Sequence, residues 1–274
     1  MKRLTKSMTV ILLSLASCGQ PEPTSDVALR TTDSAGIIPI GGHAHLFPTD
    51  SSVRLMFNLV SSAQLAKYSE NFGWGGSFPA SAFRVSAINQ GVMLWYCFRG
   101  GSRPDLFLAL EHLEEYDPHN LPRGPIQTEL TVPTAIFRVN PESLKSESDI
   151  RDYLKETGDV SGWKTLNAGE IRRYIASADS LFTLYPDIHG ERYNSYMFGF
   201  FSARHEAAFD AFIASAGENG YIRYYFGYDE RERPNRIRII LMAVNAKGVN
   251  QAMARVSEEG YGTMQRSWPP PPID

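Results

Sequence analysis

Apolar residues near the end of the chain recur three and four positions apart, which is the spacing of one helical face. They are Ala208, Phe209, Phe212 and Ile213. Ser202 precedes them as a residue able to cap a helix, and Gly217 and Gly220 follow as helix-ending residues. The pattern predicts a short helix with one buried face.

Runs of strand length surround this helix. Residues 194–201 precede it, and residues 221–228 and 236–244 follow as a hairpin around a charged loop. At the start of the last run, arginines alternate with apolar residues, at Arg236, Ile237, Arg238 and Ile239. This alternation predicts a strand with one edge or one face in water.

The first half of the chain repeats the order. Residues 53–60 are predicted to form a strand, 92–98 and 106–113 a hairpin, and 142–155 contain a helix. A helix over 248–259 closes the second half in the same way. The order strand, helix, two strands, helix predicts an α+β fold with mainly antiparallel sheet.

Individual residues also recur, 129 positions apart. Those of the first half are Ala82, Phe83, Ser86, Ala87, Gly91 and Tyr96, and their matches are Ala211, Phe212, Ser215, Ala216, Gly220 and Tyr225. Upstream, Met56-Phe57 matches Met197-Phe198. We therefore predict two tandem related units over residues 37–160 and 161–266, with chance similarity as the alternative.

The first 17 residues have the three parts of a secretory signal in order. Three cationic residues come first. An apolar core over 8–15 follows, which is too short to span a bilayer as a permanent helix of about 20 residues. Next comes Leu15-Ala16-Ser17-Cys18, which resembles the lipobox that bacterial lipoprotein signal peptidase cuts before the cysteine. An ordinary secretory signal containing a cysteine is the alternative.

The resemblance implies that Cys18 carries covalent lipid, a diacylglycerol thioether and an amide-linked acyl chain, and that the membrane is a partner through this anchor. Residues 18–36, rich in Pro, Ser and Thr, predict a flexible tether, and 267–274 form a Pro-rich tail. We therefore expect a lipid-anchored protein of the bacterial cell envelope. In a Gram-negative cell the outer membrane is favoured over the inner one.

Composition and charge narrow the function classes. A hydrophobic fraction of 43% and a charged fraction of 21% are ordinary for a globular protein. The formal charge of −3 becomes −6 without the cationic signal, which argues against nucleic acid as a partner. Cys97 is the only other cysteine, so we expect no intramolecular disulfide and a buried thiol.

The string Gly220-Tyr-Ile-Arg-Tyr-Tyr-Phe-Gly-Tyr-Asp229 ends an aromatic strand in Gly-x-Asp, and a second apolar strand and a Gly-bearing turn follow. Residues 198–250 thereby resemble small uncharacterised exported domains of Bacteroidota. Asn245 stands where those domains usually have Asp. The resemblance implies no activity.

Gly42-His43-Ala44-His45 is a candidate metal site. Two histidines one residue apart in an extended segment can both face a divalent metal such as zinc. The string resembles the first metal-binding strand of amidohydrolases, a family that needs further histidines, an aspartate and a (β/α)8 barrel. A solvated loop beside the tether is the alternative, and we expect no cofactor beyond the lipid.

The glycine-rich segment 71–79 is a candidate ligand-binding loop, with the aromatic residues Phe72, Trp74 and Phe78. Rings on a mobile loop can stack on sugars or peptides, whereas burial against a helix is the alternative. An acidic run predicts a solvated strand end, at Glu111, Glu114, Glu115 and Asp117.

These patterns favour a membrane-anchored exported lipoprotein that acts as a non-enzymatic binding or scaffolding module for an unknown protein or glycan. One alternative is a metal-dependent hydrolase that uses His43 and His45. A second is a carbohydrate-binding protein that uses the Trp74 loop.

Replacing Cys18 with Ser should abolish lipid attachment, because the thioether can form only on the cysteine sulfur. Metabolic labelling with a fatty-acid analogue measures this. Incorporation of label into the Cys18→Ser protein would show that the lipobox interpretation is wrong.

Overall fold

The computed structural model describes the residues 38–40, 44–61, 74–86, 91–102, 104–114, 120, 122–138, 143–155, 162–184, 197–202, 207–229, 236–251 and 261–266. The predicted signal peptide, Cys18, the tether and the Pro-rich tail lie outside these residues. So does most of the helix predicted over 248–259.

The described residues form α-helices, a 3-10 helix and β-strands. The α-helices are α1 (Thr49–Ser61), α2 (Glu147–Lys155), α3 (Ala168–Leu184) and α4 (Ala207–Ala214), and the 3-10 helix is Ala80–Phe83. The strands are β1 (Ile38–Ile40), β2 (Ala44–Pro48), β3 (Gly75–Pro79), β4 (Gly91–Arg99), β5 (Asp105–Leu113), β6 (Glu129–Pro133), β7 (Trp163–Asn167), β8 (Phe198–Ser202), β9 (Tyr221–Tyr228), β10 (Ile237–Val244) and β11 (Tyr261–Arg266).

The strands form two sheets, in the orders β1-β2-β11-β10-β9-β3 and β7-β6-β5-β4-β8. Neighbouring strands are antiparallel throughout both. The predicted α+β class with mainly antiparallel sheet is therefore confirmed. The two predicted hairpins are present as β4–β5 and β9–β10.

One core lies between the two sheets. The Tyr96 ring stacks on Phe226 with centroids 5.9 Å apart, and its hydroxyl donates to the carbonyl oxygen of Ile237 at 2.8 Å. In the reverse direction, the Tyr224 hydroxyl oxygen accepts a hydrogen bond from the Leu108 backbone N–H at 3.3 Å. Each sheet thus places tyrosine hydroxyls on backbone groups of the other.

Helices cover the outer surfaces of this pair of sheets. α1 packs on β9, where Asn58 Nδ2 donates to the carbonyl oxygen of Tyr228 at 3.3 Å. α3 packs on β4, and its Tyr174 meets Phe107 edge to face at 5.5 Å. The helix predicted within 142–155 is confirmed as α2.

The strand predicted over 53–60 is wrong, because these residues lie inside α1. Their apolar positions follow a helical spacing, with Val53, Met56 and Val60 buried on one face. The polar residues Thr49 to Ser52 extend the element at its start, and Asp50 in the first turn suits a helix N-terminus. A short apolar run does not by itself distinguish a helix from a strand.

The expectation of a wet edge or face on 236–244 is also wrong. β10 lies between β9 and β11, and all eight of its residues are buried. Arg238 and the neighbouring Arg236 are buried with them. A central strand covered on both faces buries even its charged positions.

Residues 75–79 form a strand and not the predicted loop. Its glycines allow close approach to β9, because a Cβ atom at Gly75 would lie 2.1 Å from the Tyr224 carbonyl oxygen. A Cβ atom at Gly76 would lie 2.7 Å from the Tyr224 hydroxyl oxygen. The glycines therefore serve strand packing.

The sheets exchange strands between the two predicted units. β3 pairs with β9 and not with β4, whereas β8 pairs with β4 and not with β9. β2 likewise adds to β11, and β7 adds to β6. Each sheet therefore contains strands from both sides of the predicted boundary near residue 160.

The order of elements is similar in the two parts of the chain that exchange strands. The order strand, helix, strand, strand recurs as β3, the 3-10 helix, β4, β5 and as β8, α4, β9, β10. Tyr96 and Tyr225 both lie in the first strand of their hairpin. Met56-Phe57 and Met197-Phe198 do not correspond, since the first pair is in α1 and the second begins β8. The duplication itself stays a prediction.

Replacing Phe212 with Ala should lower the free energy of unfolding by about 3–5 kcal/mol, because the buried ring leaves a cavity. Thermal or urea unfolding measures the change. Asp210→Ala is the control, since Asp210 is exposed on the same helix. Equal stability of the two variants would contradict the assignment. So would a large fall in melting temperature on adding reductant, because Cys97 is a free cysteine.

Candidate functional site

A cleft of about 470 Å³ opens between the end of β3 and the neighbouring face of the second sheet. On one side it is lined by Pro79, Ser81 and Ala82, at the turn from β3 into the 3-10 helix. On the other side its lining comes from β5, β6 and β7 and from residues beside them. It lies where strands of both sheets meet.

Strand pairing explains which side chains share this face. Thr131 pairs with Leu110 on one side and with Thr165 on the other. Directly paired residues and their second neighbours point to the same face of a sheet. His112, Glu129 and Trp163 therefore lie on one face, and all three line the cleft.

Trp163 provides an exposed aromatic wall. Its side chain is 53% exposed, and among the described residues only Ile126, at 68%, is another strongly exposed large apolar side chain. An exposed indole beside a concave surface is unusual because aromatic rings gain by burial. Trp163 is thus positioned to cover a ligand.

Two side chains of the cleft lining form hydrogen bonds within the protein. His112 Nε2 lies 2.7 Å from the carbonyl oxygen of Ala82, and this nitrogen carries the proton because a carbonyl oxygen only accepts. Gln127 Nε2 donates to the carbonyl oxygen of His112 at 2.8 Å. These bonds also fix both side chains.

The buried carboxylate of Glu111 fixes the loop that carries Gln127 to the cleft. Its Oε2 accepts from Trp95 Nε1 at 2.7 Å, and its Oε1 accepts from the backbone N–H groups of Ile126 and Gln127, each at 2.6 Å. Three donors converge on one acceptor-only group. The loop that carries Gln127 is thereby held against β5.

Two carboxylates remain at the cleft surface. Glu114 and Glu129 are both exposed, and no Lys or Arg is among the described residues that line the cleft. The acidic run was predicted to be a solvated strand end. That prediction holds for Glu114 but is wrong for Glu111, whereas Glu115 and Asp117 lie outside the described residues.

Other predicted site residues do not belong to this cleft. Trp74 is buried, with its ring centroid 5.0 Å from Tyr153, and Phe78 is buried 5.6 Å from Tyr224. Of the two interpretations of this segment, burial therefore describes both rings, because they complete the aromatic core. Phe72 lies outside the described residues.

The metal hypothesis concerns residues at the other end of the chain. His45 lies in β2, opposite Pro39 of β1, and His43 lies outside the described residues. Within the described part of the chain, no group of three or more His, Cys, Asp or Glu side chains is arranged to hold a metal. The role of His43 and His45 stays a prediction.

Cys97 is buried in β4, as expected from its place in an aromatic strand. Burial raises the pKa of its thiol well above the usual value, and a hydrogen bond with the Ala109 backbone opposes this only in part. A neutral buried thiol is a poor nucleophile.

Comparison with known proteins gives no family. No family model, no curated protein and no solved structure matches the chain. None of the helices in the part of the chain that the structure describes is long and apolar enough to cross a membrane.

Sequence reasoning missed Trp163, Gln127 and Glu129. A partial signal exists, because Glu129 and Thr131 alternate with the buried residues Leu130 and Val132 in the pattern of a half-exposed strand.

Replacing Glu111 with Gln should lower the free energy of unfolding by about 1–3 kcal/mol, because the amide NH2 would face a buried donor. Glu114→Gln is the control, and as an exposed substitution it should change stability by less than about 0.5 kcal/mol. Urea unfolding of both variants measures the difference. Equal stability would show that Glu111 does not hold the 126–127 loop.

Proposed function

We propose that this protein is a non-enzymatic binding module of a membrane-anchored lipoprotein, and that the cleft beside Trp163 contacts its ligand. The observation that carries the proposal is the exposed indole at the rim of a cleft in which hydrogen bonds hold His112 and Gln127 in place. Ligand sites are concave, and a few fixed polar groups set the orientation of what they bind.

The hydrogen bond of the cleft histidine gives its ring a structural role. The proton on His112 Nε2 is donated to the Ala82 carbonyl oxygen, and this bond holds the ring against the 3-10 helix. The ring thereby shapes the wall of the cleft that a ligand would contact.

The predicted anchor agrees with this role. Lipid on Cys18 and a tether over residues 18–36 would hold the folded part near a membrane while leaving the cleft open to solution. A binding or scaffolding protein of the cell envelope needs both properties.

The two alternatives have different support. The carbohydrate-binding hypothesis on the Trp74 loop loses Trp74 and Phe78 as accessible rings, since both are buried. The hydrolase hypothesis on His43 and His45 stays a prediction, and elemental analysis of the purified protein tests it by measuring bound metal.

Replacing Trp163 with Ala should weaken ligand binding at least tenfold, because the ring supplies the main apolar contact. A ligand-observed NMR screen of mixed neutral sugars, anions and organic cations against the mature chain measures binding. Cys18→Ser is included to keep the protein in solution.

Ile126→Ala is the matched control, since Ile126 is also exposed but does not line the cleft. It should bind as the parent chain does. If no ligand binds, or if every ligand binds the Trp163→Ala chain equally well, the proposal is wrong.

A further inference from the structure

We infer that the cleft beside Trp163 selects an organic cation, a guanidinium or primary ammonium group that donates several hydrogen bonds. The inference rests on the proposed function and names its ligand class. It follows from three properties of the lining: its charge, its carboxylate acceptors and its aromatic wall.

The charge of the lining is negative. Glu114 and Glu129 contribute two carboxylates, and the described lining residues include no Lys or Arg. Neither carboxylate has an ion-pair partner among the described residues. A ligand cation would be their counter-charge, whereas an anion would be repelled.

The strongest hydrogen-bond acceptors of the lining are its carboxylates. His112 Nε2 and Gln127 Nε2 donate to backbone carbonyls, and the Gln127 backbone N–H donates to Glu111. The hydroxyls of Ser81 and Thr131 can donate or accept, whereas the carboxylate oxygens of Glu114 and Glu129 only accept. A guanidinium or ammonium group brings only donors, and its hydrogen bonds to a carboxylate are charge-assisted and therefore stronger than those of a neutral hydroxyl.

The aromatic wall favours the same ligand. Trp163 is 53% exposed, and a cation over an indole face gains about 0.5–2 kcal/mol. Combined with carboxylates, such a face distinguishes a cation from a neutral group of equal shape. The volume of about 470 Å³ is enough for an arginine or lysine side chain.

Matched probes isolate the charge. N-acetyl-arginine amide and N-acetyl-citrulline amide have nearly the same shape, but only the first is cationic. We expect the mature Cys18→Ser chain to bind the arginine probe at least tenfold more tightly in calorimetric titration, and less tightly as ionic strength rises. Equal affinity for the two probes, or no binding of the arginine probe, overturns the inference.

Matched variants locate the charge. The double variant Glu114→Gln, Glu129→Gln should weaken binding of the arginine probe at least tenfold, because it removes both carboxylates without changing side-chain size. Glu218→Gln, at an exposed acid outside the cleft lining, should leave the affinity unchanged. Equal losses in both variants would mean attraction by net charge alone, and the inference would be wrong.

Two further comparisons are needed. One distinguishes a polypeptide ligand from a free small cation, and the other distinguishes failure of this inference from failure of the proposed function. A capped Gly-Gly-Arg-Gly-Gly peptide that binds more tightly than the single-residue probe indicates a polypeptide ligand, and equal affinity indicates a free small cation. If a neutral sugar binds instead, and Trp163→Ala abolishes its binding, the cleft is a binding site but its ligand is not a cation. If Trp163→Ala changes the binding of no probe, the proposed function itself fails.

Discussion

Backbone pairing of strands distant in sequence holds this fold together. The edge of the β9–β10 hairpin is completed by Gly75–Pro79, and the edge of the β4–β5 hairpin is completed by Phe198–Ser202. An unpaired edge leaves N–H and C=O groups without partners, so each hairpin needs the strand that the other half supplies. The core depends on this exchange, because it brings the two sheets face to face. The cleft depends on it as well, because Pro79 is both the end of an exchanged strand and part of the lining.

Local patterns were enough for the elements whose signals lie within one stretch of chain. The hairpins and the helix containing Phe212 follow from apolar runs, a helical spacing and terminal glycines, and Gly217 adopts the positive φ of +77° expected at a helix end. α1 was mistaken for a strand because a run of eight apolar-rich residues fits both periods. The burial of Arg236 and Arg238 was not predicted for another reason. A position in the middle of a sheet overrides the usual exposure of charged side chains. That position depends on strands far along the chain.

The candidate site was much harder to predict than the fold class. Trp74 and Phe78 drew attention because glycines surround them, yet those glycines admit the Tyr224 backbone and ring. Trp163 gave little local signal, as it begins a short strand of mixed polarity. Its place on the same sheet face as Glu129 requires the pairing of β6 with β7, and its place in one cleft with Pro79 requires the packing of two sheets. One sequence contains no direct record of either arrangement.

The exchanged strands also constrain how the chain can reach its native state. Gly75 pairs with Tyr225, which is synthesised 150 residues later. The first sheet therefore cannot form completely while only the N-terminal half of the chain exists. Contacts of such sequence separation raise the contact order and slow folding, because chain entropy is lost before the contacts form. Truncation of the chain before Phe198 therefore removes strands from both sheets at once, because β8 belongs to one sheet and β9, β10 and β11 to the other.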